Sequence, residues 1–169
     1  NNTNRCRGIA GICKTLDGIL QNKDTTGVTM ILEDDIIPLD PNLDRLKESL
    51  KMVPNDWDII RFDCWGLSDF HFPRWINDYV VDTTKYRSAN HCHTKSCPSN
   101  KLYGGAYSML WKGSSKHKLR QIWSKTPYQD ADGRIAGRKK KLKSYCVNIG
   151  IWDHLYIRDS WSDASMLTS

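Results

Sequence analysis

Three consecutive carboxylates, Glu33, Asp34 and Asp35, interrupt the stretch VTMILEDDIIP between Val28 and Pro38. Adjacent carboxylates repel one another unless a cation relieves them. Their oxygens suit a hard divalent ion such as Mg²⁺ or Mn²⁺, the usual companion of a phosphate-bearing substrate. A solvated polar loop, or acids capping the next helix, is the plainer alternative, and the sequence favours the metal. Further along the chain, Asp130 and Asp132 place two carboxylates in the turn-rich segment Thr126 to Gly133. Gly104 and Gly105 open an apolar stretch, and small residues there would let a backbone come close to a sugar or phosphate. A turn that touches no ligand explains that pair equally well. His154, late in the chain, is a possible metal ligand, although a packing histidine is the commoner occupant of such a position.

These residues need a frame. Val28 to Leu32 is a short run of β-favouring apolar residues, which predicts a fully buried strand. Carboxylates at the carboxyl end of such a strand would face the crevice in which open α/β sheets bind ligands. Before it, Ile9, Ile12, Cys13, Leu16, Ile19 and Leu20 recur at helical spacing and predict an amphipathic helix from Gly8 to Asn22. Gly8 and Gly11 on its first turns would permit close packing against a strand or ligand. After the acids, Asp40 and Pro41 predict a helix start, with Leu43, Leu46 and Leu50 as its buried stripe.

Asp56 to Asp63 is a second strand candidate, again apolar in the middle and acidic at its end, so Asp63 either shares the cleft or sits on the surface. The alternation of strand, helix and strand is the rhythm of an α/β sheet. Tyr103 to Trp111 and Ser144 to Ile149 read as further strands, and Tyr79 to Val81 as a short one. Ser114 to Trp123 reads as a helix.

Residues 66–101 show no strong periodicity and read as an irregular loop or lid. That segment holds His91, Cys92, His93 and Cys97, which lack the paired spacing of common zinc sites. A Cys92–Cys97 disulfide or a plain polar loop is the better reading. Cys64 and Cys146 fall on strand candidates and read as buried thiols. Residues 151–169 form a C-terminal segment without clear periodicity.

A length of 169 residues predicts one domain, residues 1–169. The seven Trp are many, and some of those rings are expected beside a ligand cleft. The net charge of +6 is moderate and partly local, with Arg138 to Lys143 supplying much of it. Such a run most often forms a solvated face, and no nucleic-acid-binding framework accompanies it. No apolar run reaches the length of a membrane span, and no targeting segment opens the chain. Localisation is therefore undetermined at this level.

Taken in order, the helix with Gly8 and Gly11, ILEDD, PNDWDIIRFD, GGAYSMLWKGSSKHKL and TPYQDAD resemble the lipooligosaccharide and procollagen galactosyltransferase family, from about Gly8 to Asp132. The resemblance implies a GT-A-like fold, a Rossmann-type mixed sheet with flanking helices. It implies metal-dependent transfer, with inversion, of a sugar from a UDP- or GDP-sugar to a glycan or glycoprotein hydroxyl. Asp35 would be the metal ligand for Mn²⁺ or Mg²⁺, Glu33 and Asp34 would lie toward the donor, and Asp130 or Asp132 would be the acceptor-facing carboxylate. The family's first strand has no counterpart ahead of the first helix, and Lys14-Thr15-Leu16 stands where the family has Ser-His. Two other classes remain: a catalytically silent domain that binds a sugar or partner, and a nucleic-acid module using residues 138–143. Nucleic acid is not the expected partner.

Overall fold

The structure is a computed structural model. It describes residues 2–22, 26–34, 36–39, 43–64, 75–84, 87–88, 102–103, 108–124 and 142–154, with the backbone alone at 2–9, 87–88, 102–103, 124 and 153–154. The elements in chain order are α1 (Asn2–Gln21), β1 (Val28–Leu32), β2 (Ile36–Pro38), α2 (Asp44–Lys51), β3 (Ile59–Phe62), β4 (Val80–Asp82), β5 (Arg87–Ser88), β6 (Leu102–Tyr103), β7 (Ser108–Lys112), α3 (Lys116–Ser124), β8 (Ser144–Val147) and β9 (Trp152–His154). A single 3₁₀ turn, Gly113–Ser115, joins β7 to α3.

Five strands form a mixed sheet in the order β1-β7-β3-β8-β4. β7 runs antiparallel to both β1 and β3, while β3 and β8 are parallel. β1, β3 and β8 therefore point the same way, and their carboxyl ends lie along one edge of the sheet. β2 pairs with β9 in a separate two-stranded ladder, and β5 pairs with β6.

Strand alternation gives the sheet two apolar faces. On one, Ile59, Met109 and Trp111 pack with Cys13, Leu16 and Leu20 of α1 and Leu119, Ile122 and Trp123 of α3. On the other, Ile60, Phe62, Val80, Leu110, Tyr145 and Val147 pack with Leu46 of α2 and with Ile151 and Trp152. The central strand β3 is buried along its whole length because both faces are covered. Its four side chains are Ile59, Ile60, Arg61 and Phe62, so the buried strand includes one charged residue. α3 also closes the carboxyl end of α1: Arg120 Nε donates to Leu20 O at 2.7 Å and Lys116 Nζ to Asn22 O at 2.9 Å. Carbonyls there lack partners within their own helix, so the cations satisfy them.

Several expectations are corrected. β1 is a strand but is not fully buried; its exposure alternates, with Val28 55%, Met30 36% and Leu32 47% exposed. Ile31 packs on the α1/α3 face, whereas the opposite face of this outer strand lies beyond the cover that α2 gives the middle strands. α2 begins at Asp44, because Leu43 has φ 54°, a left-handed conformation that a helix begun at Pro41 could not contain. α1 begins ahead of Gly8, and a β-carbon on Gly11 would meet nothing within 4 Å, so that glycine serves no close approach. Cys64 and Cys146 are joined as a disulfide between β8 and the segment that follows β3. Of the Trp residues, Trp111, Trp123 and Trp152 are core, while Trp75 is exposed.

Candidate functional site

The edge formed by the carboxyl ends of β1, β3 and β8 carries the described candidates Glu33, Asp34 and Asp63. Glu33 and Asp34 follow β1 directly, and both are exposed. Asp63 follows β3, and β8 leads into the turn 148–151 that delivers β9. β7 starts at the same edge, since Ser108 is paired with Leu32. Gly104 and Gly105 precede that strand but lie outside the described residues, as do Asp35, Asp130 and Asp132.

The β2–β9 ladder adds the decisive relation. Ile36 is paired with His154, Ile37 with Asp153 and Pro38 with Trp152. Ile36 is the residue after Asp35, so the ladder brings the backbone of His154 beside the end of the acidic run. Segments that lie more than a hundred residues apart in sequence, Ile36–Pro38 and Trp152–His154, thereby meet. Sequence periodicity could not show this, because each strand of the ladder is only three residues long.

Asp63 is not a free cleft carboxylate. It has φ 49°, a left-handed conformation that Asp and Asn tolerate through their short polar side chains. One carboxylate oxygen accepts the N–H groups of Ile149 and Gly150 at 2.9 and 2.6 Å. The other accepts those of Ile151 and Trp152 at 2.7 and 3.2 Å. The Asp63 N–H in turn donates to Val147 O at 2.8 Å. Gly150, at φ 62°, supplies the left-handed residue of the loop that wraps this carboxylate. The next residue, Cys64, carries the disulfide to Cys146.

Another carboxylate, Asp58, is buried and lies at the opposite edge. It is 3% exposed and accepts bonds from Ser115 Oγ, from Lys118 Nζ at 2.8 Å and from the Lys143 N–H at 2.8 Å. Burial works to raise its pKa, but the bonds from Lys118, Ser115 and Lys143 outweigh it and hold the carboxyl below its ordinary value. Asp58 ties β3 to the start of α3 and to the segment entering β8. It faces away from the acidic corner and is a structural anchor.

Among the described residues, no group of three or more His, Cys, Asp or Glu side chains is placed to hold a metal. The proposed ligands Asp35 and the side chain of His154 fall outside that set. Among the described residues, no helix is long and apolar enough to cross a membrane. No family model, curated protein or solved structure matches the chain.

Proposed function

We propose that the chain is a metal-dependent glycosyltransferase with a GT-A-like fold, transferring a sugar from a nucleoside-diphosphate donor to a glycan or glycoprotein hydroxyl. The observation that supports this reading is the backbone pairing of His154 with Ile36, the residue that follows the acidic run in sequence. Ligands of open α/β sheets bind at that edge. Carboxylates with one imidazole form a donor set suited to Mn²⁺, which accepts both oxygen and nitrogen ligands.

In this reading Asp35 and His154 hold the cation, and Glu33 and Asp34 border the donor. The bound cation would offset the charge developing on the departing diphosphate. Gly104 and Gly105, ahead of β7, leave room for the donor beside the backbone. Asp130 or Asp132 takes the proton of the acceptor hydroxyl as its oxygen attacks the anomeric carbon, and the bond to the diphosphate breaks. Direct attack of this kind inverts the anomeric centre.

The test is calorimetric titration of UDP and GDP, with and without Mn²⁺, into the wild type and Asp35→Ala. Mn²⁺-dependent binding of one nucleotide, lost in the variant, is the expected result. Equal binding in both proteins, or none in a folded wild type, rejects the assignment.

A further inference from the structure

The acidic corner is only as well defined as the position of β9, and β9 is a three-residue strand whose ladder with β2 is equally short. Isolated two-stranded pairs of this length are not stable on their own. Something else must hold β9 in register, and the strongest set of bonds leading into it comes from Asp63. Its carboxylate takes the N–H groups of every residue from Ile149 to Trp152, the last of which is the first residue of β9.

We propose that Asp63 is a positioning residue for the corner: it fixes the 149–152 turn, and through it the register of His154 opposite Ile36. The proposal rests on the glycosyltransferase reading for its functional consequence, but the clamp itself is independent of that reading. Three further features fix the clamp to the body of the sheet. Asp63 extends β3, the central strand. Its own N–H donates to Val147 at the end of β8. Cys64 beside it is bonded to Cys146 of β8, and both sulfurs belong to buried residues. From the other side, Leu39 N–H donates to Ile151 O at 2.8 Å, so the segment leaving β2 docks on the same turn. Trp152 and Ile151 then pack into the apolar face that α2 covers.

A carboxylate does this work where an amide cannot. Two N–H donors converge on each oxygen, and an asparagine in the same place would present an NH₂ group to one of those pairs. Asn also adopts the left-handed conformation readily, so Asp63→Asn keeps the backbone preference and removes only the second acceptor. Buried or half-buried N–H groups left facing a donor would release the turn.

The experiment compares wild type, Asp63→Asn and, as a control of lowered stability at the opposite edge, Gly113→Ala. Amide hydrogen exchange is followed by residue, and Mn²⁺ affinity is measured by calorimetry. In Asp63→Asn, exchange at 149–154 should accelerate at least tenfold while Leu119 and Ile122 keep their protection, and Mn²⁺ should bind at least tenfold more weakly. Gly113→Ala should leave Mn²⁺ affinity unchanged. Unaltered exchange at 149–154, or acceleration spread evenly over the whole sheet, overturns the clamp. Loss of Mn²⁺ affinity no greater than in Gly113→Ala overturns its positioning role. If the wild type binds no Mn²⁺, the metal reading fails, and exchange at 149–154 alone decides the clamp. Should Asp63→Asn not fold, Asp63→Ser, which keeps one acceptor oxygen, is read by the same two criteria.

Discussion

The amide of Gly113 donates to the carbonyl of Gly27 at 2.6 Å, and a β-carbon built on Gly113 would stand 2.5 Å from that same oxygen. The end of β7 and the start of β1 therefore meet backbone to backbone, with no room for a side chain. Carbonyl groups of Thr26 and Gly27 are the obstacle, and neither can rotate aside as a flexible side chain would. Gly113→Ala should cost about 1–3 kcal/mol of folding stability, the range for overpacking a tight site. Chemical denaturation will show a lowered midpoint with an unchanged slope.

Asp58 is the polar anchor of the far edge. Removing its carboxylate in Asp58→Ala leaves Ser115 and the Lys143 N–H without their acceptor and strips Lys118 of its ion-pair partner. The loss should be about 2–4 kcal/mol, because hydrogen bonds to a buried charge are the strong kind. Lys118→Ala should cost less than half of that, since its side chain is partly in water and the other two donors remain.

The same carboxylate predicts how stability depends on pH. Its pKa in the folded protein lies below the ordinary value of 3.8. The folded state thus binds the proton less readily than the unfolded chain does. The stability this contributes is fully present above pH 3.8 and is lost as pH falls through the lowered pKa. Denaturation midpoints of wild type should decline on acidification below about pH 4, and Asp58→Asn should show a shallower decline over that window.

His154 is expected to matter through its imidazole. His154→Ala should weaken Mn²⁺-dependent nucleotide binding tenfold or more, while nucleotide binding without metal stays as it was. His154→Gln offers only an amide and should recover little. Calorimetry on the two variants distinguishes a ligand from a residue that merely packs, because a packing role would leave the metal requirement intact.

Cys64 and Cys146 form a disulfide that spans 82 residues of sequence. A cross-link closing so long a loop contributes roughly 4 kcal/mol by the chain-entropy account. Peptide mapping without reductant should recover the linked pair, and Cys64→Ala/Cys146→Ala should lower the unfolding midpoint accordingly. Such bonds persist in oxidising surroundings, so expression in an oxidising compartment should raise the folded yield over a reducing one.

Much of the sheet was legible in the sequence, for an identifiable reason. β3, β7 and β8 are rich in apolar residues because both faces of each are covered, and that shows as apolar stretches around Ile59, Leu110 and Cys146, with Arg61 the exception in β3. α1 and α3 show helical periodicity because each buries one stripe. What the sequence hid were relations rather than elements. The exposure of β1 depends on its outer place in the sheet, which a local window does not contain. The start of α2 depends on Leu43 accepting a left-handed conformation. Asp63 read equally well as a cleft acid or a surface one, because its partners lie at Ile149 to Trp152 and no spacing rule links them. The pairing of Ile36 with His154 was hidden for the same reason. The candidate site was readable as residue types, but the ladder that joins Ile36–Pro38 to Trp152–His154 was not.

The parallel pairing of β3 with β8 has a consequence for synthesis. β3 leaves the ribosome early, whereas Ser144–Val147 and the turn that wraps Asp63 emerge only near the end of the described chain. Contacts between such distant segments form slowly, since the intervening chain must first be closed into a loop. Until then the central strand has one hydrogen-bonding side open. The nascent chain is therefore most prone to aggregate in the interval after β7 has docked and before β8 arrives. Slowing translation after β7 has left the ribosome and before Ser144–Val147 has done so should lengthen that interval and lower the soluble yield, whereas a pause once β8 has emerged should not.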